Sequence, residues 1–288
     1  MLVTAKELLQ EAEERKTAIG AFNVTGMATM CAILEAAEEL NEPVIIDFAP
    51  VHEEMGIISL DRIGPAMVAL AKAAKVKVCC HLDHGVELDY IRKALELGFT
   101  SCMYDGSALP FEENVANTRR AVEMARAYGA TVEAELGKMA GLTLNNDHVV
   151  ENRDIDRANF TNPAQAREFV EATGVDMLAC SFGTSHGLYV KAPKLDSELV
   201  RELRETSGVP IVMHGGSGVM AEEIHKCVNN GVRKINYYTY MAKAGGEAVR
   251  DSIPAEGSVY YHDLQVIGRK AMKENVRQAI LLFTNRED

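Results

Sequence analysis

The chain is predicted to fold as a single (β/α)8 TIM barrel, an α/β architecture. Short apolar or β-branched runs alternate with longer stretches of helical periodicity, and this pattern occurs eight times. Such alternation indicates parallel strands joined by right-handed crossovers, which can close into a barrel. A length of 288 residues with 47% hydrophobic content suits one domain over 1–288 with a large core.

The eight predicted strands are spaced so that one helix fits between each pair. Glycines such as Gly98, Gly174 and Gly208 mark the ends of the intervening helices. A closing helix is expected over 263–283. The strands are predicted over residues 18–24, 43–49, 76–82, 99–104, 131–136, 175–181, 209–214 and 232–237.

The composition limits the partners and the compartment. Acidic residues number 42 against 30 basic ones, and the resulting net charge of -12 argues against nucleic acid as a partner. A small phosphorylated metabolite stays compatible, because one pocket need not share the global sign of charge. The six cysteines show no CxxC spacing, which favours a reducing cytoplasm. Neither a signal peptide nor an apolar run of about 18 residues is present, so no membrane association is expected.

Three histidines each follow a predicted strand, in the contexts HLDHG for His84, GTSHG for His186 and MHGGSG for His214. The carboxyl ends of barrel strands meet at one face, where the active sites of this fold are built. A doubly wound open sheet would instead gather its ligands at one switch point. Three neutral imidazoles from three strands are typical of a catalytic zinc site with one open position. For each histidine alone, the alternative is a polar residue hydrogen-bonded to the backbone.

Further polar residues stand at the ends of the strands. Asp83 lies directly beside the predicted ligand His84, where a carboxylate can move the proton of a metal-activated substrate. This arrangement suggests carbonyl chemistry on a small oxygenated substrate. The other strand ends contribute Asn23, Asp47, Asp105, Glu135 and Asn236.

A phosphate-binding region is predicted after the seventh and eighth strands, where barrel loops often hold an anion. Backbone amides of the glycine-rich loop, nearby hydroxyls and one ammonium group would enclose a dianion. A Gly-Gly-Ser-Gly run alone is typical of a turn, but its place directly after a ligand histidine favours binding. The predicted contributors to substrate binding in this region are Gly187, Lys191, Gly215, Gly216, Ser217, Tyr237, Tyr238 and Thr239.

Five ordered motifs are present: HLDH at 81–84, YDGS at 104–107, EAELG at 133–137, HGLY at 186–189 and HGGSG at 214–218. Together they resemble the class II, zinc-dependent ketose-bisphosphate aldolases of the fructose- and tagatose-bisphosphate type. The similarity runs from 21–24 to the final helix. It implies a lyase of carbohydrate metabolism, such as glycolysis, that splits a ketose phosphate into dihydroxyacetone phosphate and an aldehyde. It also implies homodimers or homotetramers.

The resemblance assigns roles to the metal-site residues. It implies that His84, His186 and His214 hold the catalytic Zn2+. Asp105 and Glu135 would form a nearby acidic pair that takes an alternative or second divalent or monovalent cation. The alternative is that this pair only orients the imidazoles.

The resemblance also implies a mechanism. Asp83 would take the proton from the C4 hydroxyl in cleavage, and zinc would stabilise the enediolate of dihydroxyacetone phosphate. Asn236 would steady the oxygen of the reacting carbon, and Asn23 would join the substrate-binding set. Stabilisation by a metal replaces a lysine Schiff base, and no lysine stands at a strand end with an obvious depressing partner.

Two departures from the family pattern concern the aldehyde half of the substrate. The arginine usual for the second phosphate is replaced by Ala242, and the adjacent Lys243 is rotated by about 100° along a helix. After the second strand the family tends to have a serine, whereas here Ala49 is followed by Glu53 and Glu54. These carboxylates would repel a second phosphate. The alternative is that they are only solvent-exposed polar residues at the start of a helix. We expect an aldehyde with one phosphate fewer or a different polar head.

A third departure lies in the polar loop 137–157 after the fifth strand, which is expected to act as a lid. The family carries a glutamate eight residues beyond Glu135, and Thr143 stands there in this chain. Asp147 or Glu151 would have to replace this base.

Two other functions stay open at this point. The three-histidine site would also suit a zinc-dependent hydrolase or isomerase, although the His-x-His pair common in hydrolase barrels is absent. The change at Thr143 would suit a catalytically impaired barrel that binds metal and a sugar phosphate.

Overall fold

The eight predicted strands form a closed barrel in which all neighbours are parallel, as expected for a TIM barrel. The computed structural model describes residues 1–137, 149–150, 157–189 and 191–286. Each barrel strand pairs with its neighbours along the chain, and the last pairs with the first. The barrel strands are β1 (Ile19–Asn23), β2 (Val44–Phe48), β3 (Val78–Gly85), β4 (Ser101–Tyr104), β5 (Thr131–Leu136), β6 (Met177–Cys180), β7 (Ile211–Met213) and β8 (Val232–Tyr237).

Helices surround the barrel, and the final helix begins at Tyr261, two residues before its predicted start. It packs against the helix that follows β1 and the helix that follows β8. Among the described residues, no helix is both long and apolar enough to cross a membrane. The helices are α1 (Ala5–Arg15), α2 (Met27–Leu40), α3 (Pro50–Glu54), α4 (Leu60–Ala73), α5 (Leu88–Glu96), α6 (Phe111–Ala127), α7 (Pro163–Thr173), α8 (Ser197–Ser207), α9 (Ala221–Asn229), α10 (Thr239–Ser252) and α11 (Tyr261–Phe283).

The interior of the barrel changes from apolar to polar along its axis. At the N-terminal end, Leu8 of α1 packs in one buried cluster with Ile19, Ile45 and Met177 from the strands. Residues two apart on a strand share one face. Along each inward-facing row, the side chains become polar toward the C-terminal end of the barrel. This gradient places the polar groups of the strands at the C-terminal mouth.

The third strand differs from its predicted extent. It was expected to end at residue 82, but β3 continues to Gly85. Asp83 and His84 therefore lie inside the strand, and the prediction that His84 follows the strand is wrong. The physical reason is a register shift against β4 between Leu82 and Gly85, which lets pairing resume beyond the polar residues. His186 and His214 do follow their strands.

The predicted lid over 137–157 falls largely outside the described residues, and this holds for Thr143, Asp147 and Glu151. One described part of it, Val149–Val150, forms a two-residue strand. It pairs in parallel with Leu188–Tyr189, in the segment that follows His186. This pairing connects the loop after β5 to the loop after β6.

The packing of the barrel predicts how the cysteines react. Five of the six are buried and Cys31 is partly accessible. Burial raises the pKa of Cys79 and of Cys102 to about 12, so these thiols stay protonated at mild alkaline pH. We expect a thiol reagent at pH 8 to modify Cys31 alone in native protein and all six cysteines after unfolding. The variant Cys31→Ser should lose the fast reaction, whereas several fast thiols would contradict this packing.

Candidate active site

Three imidazoles meet at the C-terminal mouth of the barrel, and we call His84, His186 and His214 the imidazole triad. The ring centroid of His84 is 5.1 Å from that of His186 and 4.7 Å from that of His214. The centroids of His186 and His214 are 5.7 Å apart. One ring nitrogen of each lies within 4.8 Å of the other two. The structure thus brings all three within reach of one ion.

His84 reaches this mouth because β3 carries a bulge. Neighbouring residues on a regular strand point to opposite faces, so Asp83 and His84 would not share a site. Here His84 has a φ of 48°, at the point where the register against β4 shifts. A bulge with a left-handed residue redirects side chains, and His84 Nε2 comes to lie 3.9 Å from Asp83 Oδ1. Such a backbone costs about 1–3 kcal/mol, a common feature of functional sites.

The loops that carry His186 and His214 touch each other through a glycine. Gly215 has a φ of 67°, and a Cβ atom there would collide with the carbonyl oxygen of Ser185. The hydroxyl of Tyr189 lies 2.8 Å from that same oxygen and 2.9 Å from the carbonyl oxygen of Gly215. This close contact sets the distance between the two histidines.

The hydrogen bonds on the outer side of two rings indicate what fits between them. His84 Nδ1 lies 2.8 Å from Asp105 Oδ2, and His214 Nε2 lies 2.8 Å from Glu133 Oε1. Since a carboxylate accepts, each ring donates one proton outward and turns its other nitrogen, His84 Nε2 or His214 Nδ1, toward the triad. These two nitrogens are 3.0 Å apart, the distance of a hydrogen bond when one proton lies between them, and a metal ion can take the place of that proton. The donor set therefore fits a metal ion.

The titration of the triad agrees with this arrangement. Burial opposes a charge on His84, but Asp83 and the hydrogen bond to Asp105 raise its pKa to about 10. Burial and the charges of His84 and His214 lower the pKa of His186 to about 3, and burial also lowers the pKa of His214. Positive charge is thus favoured where His84 faces His214, and a divalent ion would compete with the proton there.

Asp105 and Glu135 stand beside His84 as a second set of candidate ligands. One donor atom of each of these three residues lies within 4.8 Å of the others. Ser107 donates to Asp105 Oδ1 from its backbone nitrogen at 3.1 Å and from its hydroxyl at 2.7 Å. Glu135 Oε2 has no hydrogen-bond partner among the described residues, and burial beside Asp105 raises the pKa of Glu135 to about 8. A buried oxygen in this position suits either a second cation or a retained proton.

Asp83 is held between two side-chain amides. Asn23 Nδ2 donates to one carboxylate oxygen at 3.1 Å, and Asn236 Nδ2 donates to the other at 3.0 Å. Burial opposes ionisation, but His84 and His214 hold the pKa of Asp83 well below its usual range. The result is an ionised carboxylate of fixed orientation that can accept a proton.

A cavity of about 700 Å³ opens onto these groups, a size that suits a small metabolite. Lys191 and Gly216 do not line it. Lys191 is exposed, and the Gly216 amide donates to the Asn236 carbonyl oxygen at 3.0 Å. The predicted substrate-binding residues that do line it are Asn23, Gly187, Gly215, Ser217, Asn236, Tyr237, Tyr238 and Thr239.

The cavity lining includes the start of a helix, which offers N–H donors. The helix α10 begins at Thr239, directly after β8, and the first amides of a helix have no acceptor within it. Ser217 Oγ accepts the Tyr238 amide at 3.2 Å, which holds the glycine-rich loop against this helix start. Such a concentration of amides suits a phosphate group.

Three buried side chains below the triad are not among the residues predicted from the sequence. They are His81, Glu133 and Lys234, each fully buried. Each lies two residues before a predicted site residue on the same strand, and this spacing places both on one face. That period of two was the signal that could have found them. His52, which lines the cavity, is also absent from the predicted set.

Comparisons with known proteins agree on one family. The family model described as fructose-bisphosphate aldolase class II matches residues 3–288. A fructose-bisphosphate aldolase of Thermus caldophilus is 38% identical and covers 98% of both chains. The YdjI aldolase of Escherichia coli K12 superposes with a TM-score of 0.86 at 35% identity, covering 98% of this chain and 97% of that one. A fructose-bisphosphate aldolase of Campylobacter jejuni has a TM-score of 0.80 at 25% identity, covering 98% and 95%.

The fold and the site define a barrel enzyme with a candidate metal centre at the C-terminal ends of its strands. The chain belongs to the class II fructose-bisphosphate aldolase family. This family consists of zinc-dependent aldehyde-lyases of carbohydrate metabolism that cleave ketose bisphosphates. Membership confirms the family resemblance, the fold and the enzyme class expected from the motifs.

Replacing Gly215 by alanine should weaken metal binding. The new Cβ meets the carbonyl oxygen of Ser185, so the two histidine-bearing loops must separate. We expect the Kd for zinc, measured by competition with a chelating dye, to rise about tenfold or more. Gly246→Ala is the matched control, because nothing lies within 4 Å of its Cβ position in α10. An unchanged Kd in Gly215→Ala would show that this contact does not position the ligands.

Proposed function

We propose that this protein catalyses reversible, zinc-dependent aldol cleavage of a ketose phosphate to dihydroxyacetone phosphate and an aldehyde. The convergence of the imidazole triad beside the ionised Asp83 is the observation that carries the proposal. Membership of the aldolase family supports the reaction class. We further propose that the aldehyde differs from the usual phosphorylated one, because of the side chains that α3 and α10 contribute to the cavity lining.

In this proposal the imidazole triad holds the zinc ion. When bound, zinc supplies a Lewis acid for the carbonyl group of the substrate. Asp105 and Glu133 accept protons from the outward ring nitrogens of His84 and His214, and this turns the other nitrogen of each ring toward the ion. Asp105 and Glu135 are the candidate ligands for an alternative or second cation.

Asp83 is the proposed acid/base. Its two oxygens are each held by an amide donor, so the carboxylate keeps its charge and its direction. In cleavage it takes the proton of the C4 hydroxyl, and in condensation it returns that proton. Asn236 lines the cavity while it donates to Asp83, and this supports a contact with the oxygen of the reacting carbon.

The phosphate of dihydroxyacetone phosphate is proposed to lie between the glycine-rich loop and the start of α10. Gly187, Gly215, Ser217 and Thr239 all line the cavity. Their amides and hydroxyls can donate to a dianion, and the helix start adds a favourable field. Lys191, which is exposed, stays a prediction as a phosphate ligand.

The lining that comes from the side chains of α3 and α10 differs in character. Lys243 is the one lysine or arginine among the described lining residues, and its Nζ lies 2.6 Å from Glu247 Oε1. Glu54 also lines the cavity, whereas Glu53 is engaged by Tyr90 and by the start of α4. A lining whose one ammonium group is already paired with a carboxylate favours an aldehyde without a second phosphate. The residues that α3 and its flanks contribute are Ala49, Pro50, Val51, His52 and Met55.

The second candidate function is a barrel that binds the same ligands without turnover. It is favoured by Thr143, which stands where the family has a glutamate and lies outside the described residues. Proton exchange at C3 of dihydroxyacetone phosphate, followed by NMR in deuterated water, separates the two functions. Exchange faster than the uncatalysed background excludes a mere binder.

We also propose that the protein acts as a homodimer or homotetramer in a reducing cytoplasm. The cysteine pattern supports the compartment, since none of the six is paired. Tyr260 and Tyr261 support the assembly, because both are exposed aromatic residues at the start of α11. Light scattering on purified protein measures the subunit number.

Asp83→Ala should lose turnover and keep zinc. The variant removes the proposed acid/base but leaves the triad intact, so kcat for cleavage should fall by about 10²–10⁴-fold. Wild-type protein should release two carbonyl compounds without inorganic phosphate, lose activity on chelation, and resist trapping by borohydride. Zinc content by atomic emission is the control for the metal site. Full activity of the variant, or of thoroughly chelated wild-type protein, would contradict the mechanism.

Ala242→Arg should restore a second phosphate contact. Ala242 lines the cavity on α10, and a charge-assisted hydrogen bond contributes about 1.5–3 kcal/mol. We therefore expect kcat/KM for a ketose bisphosphate to rise at least about tenfold relative to the ketose 1-phosphate. Gly246→Arg places the same charge on an exposed part of the helix and should leave kcat/KM unchanged for both the bisphosphate and the 1-phosphate. Wild-type protein that already prefers the bisphosphate would refute the proposed aldehyde.

A further inference from the structure

A buried lysine connects the two halves of the candidate site from below. Lys234 Nζ lies 2.8 Å from Glu133 Oε2 and donates to Asn236 Oδ1 at 2.7 Å. The side chains of Lys234 and Glu133 are both fully buried. Lys234 does not line the cavity, so any effect on the reaction must pass through its two partners.

The first partner controls a candidate metal ligand. Glu133 Oε1 accepts the Nε2 proton of His214 at 2.8 Å, and this leaves His214 Nδ1 as the ligand atom. The other oxygen of the same carboxylate contacts Lys234. Because the ammonium holds one oxygen, the carboxylate presents the other to the imidazole in a fixed direction.

The second partner controls the proposed acid/base. A lysine ammonium can only donate, so it selects the oxygen end of the Asn236 amide. The nitrogen end must then face Asp83, to which it donates at 3.0 Å. Without the ammonium the amide could rotate and present its oxygen to the carboxylate, which would repel it. Lys234 thus determines the sign of the dipole that Asp83 meets.

We call the buried side chains below the triad the buried layer. Among its described side chains, Lys234 supplies the positive charge that pairs with Glu133. Burial lowers the pKa of His81 to about 3, so His81 is neutral. Burial likewise raises the pKa of Asp47 well above its usual range, which favours the uncharged acid. Among the described side chains of this layer, Lys234 is therefore the cation that balances Glu133.

We propose that Lys234 is a positioning residue that fixes the tautomer of His214 and the amide orientation at Asp83 at the same time. The metal half of this inference stands by itself, and the proton half rests on the proposed function. A fully buried ion pair is a weak source of stability, since each ion loses several kcal/mol of hydration. A link between a metal ligand and an acid/base is a role that apolar residues of the same size could not supply.

Lys234→Met tests the inference on the full-length protein. We expect the Kd for zinc to rise about tenfold or more, because the direction of Glu133 is lost. The visible spectrum of the cobalt-substituted protein should change with the ligand geometry. In cleavage, kcat should fall about 10²-fold while KM stays nearly constant, since Lys234 does not touch the substrate.

The matched control is Arg233→Met, at the neighbouring position of β8. Arg233 is buried and its Nε lies 2.7 Å from Glu13 Oε2, so the variant also breaks an ion pair. It should lower the Tm but leave the zinc Kd, the cobalt spectrum and kcat close to wild type. Equal losses in Arg233→Met and Lys234→Met would overturn the inference, because they would reflect stability alone.

A double variant covers the case in which Lys234→Met does not fold. Lys234→Met combined with Glu133→Gln leaves no unpaired buried charge, so folding should recover. Zinc binding should still be weakened about tenfold or more, because a glutamine can present either end of its amide to His214. Wild-type zinc affinity and cobalt spectrum in this variant would overturn the inference. If wild-type protein cleaves no ketose phosphate, the proposed function fails, and the zinc and cobalt measurements still decide the metal half.

Discussion

The short approach between two ring nitrogens is the interaction on which the rest of the site depends. His84 Nε2 and His214 Nδ1 lie 3.0 Å apart, and each is turned inward by a carboxylate bonded to the opposite ring nitrogen. One proton shared in a hydrogen bond holds the two nitrogens at this distance, and a metal ion can replace that proton. The bulge of β3 and the close contact at Gly215 both constrain the backbone locally, and both help to bring the two histidines together. The metal chemistry of the family thus has a physical basis in the side chains of this chain.

The convergence is supported by the polarity gradient along the barrel axis. The apolar floor built by α1 keeps water from the buried layer that contains Glu133 and Lys234. Low dielectric strengthens each paired contact and penalises each unpaired group, so the layer tolerates few arrangements. Asp47 differs from the other acids of this layer, since neither of its two oxygens has a hydrogen-bond partner among the described residues. Its raised pKa is the consistent outcome, because an uncharged acid costs less to bury.

Periodicity in the sequence predicts the fold well and the site only in part. All eight strands and the closing helix follow from alternation, and the strand-end rule found His186 and His214. The position of His84 within a bulge was not predictable, because one left-handed residue leaves no periodic trace. The buried layer was missed for another reason. Barrel strands are covered on both faces, so Glu133 and Lys234 interrupt apolar runs, and only their spacing of two from Glu135 and Asn236 indicates which face they occupy.

The cavity lining combines backbone groups with side chains, and this bears on how a family changes its substrate. The proposed phosphate site uses backbone amides of the loop at Gly215 and of the start of α10, which the fold itself determines. The lining also includes side chains of α3 and α10, such as His52 and Ala242. Substitutions there leave the barrel intact, whereas a change at Gly215 meets backbone. In the proposed reaction, the half common to the family is therefore held by the backbone. The choice of aldehyde is left to side chains that can vary independently.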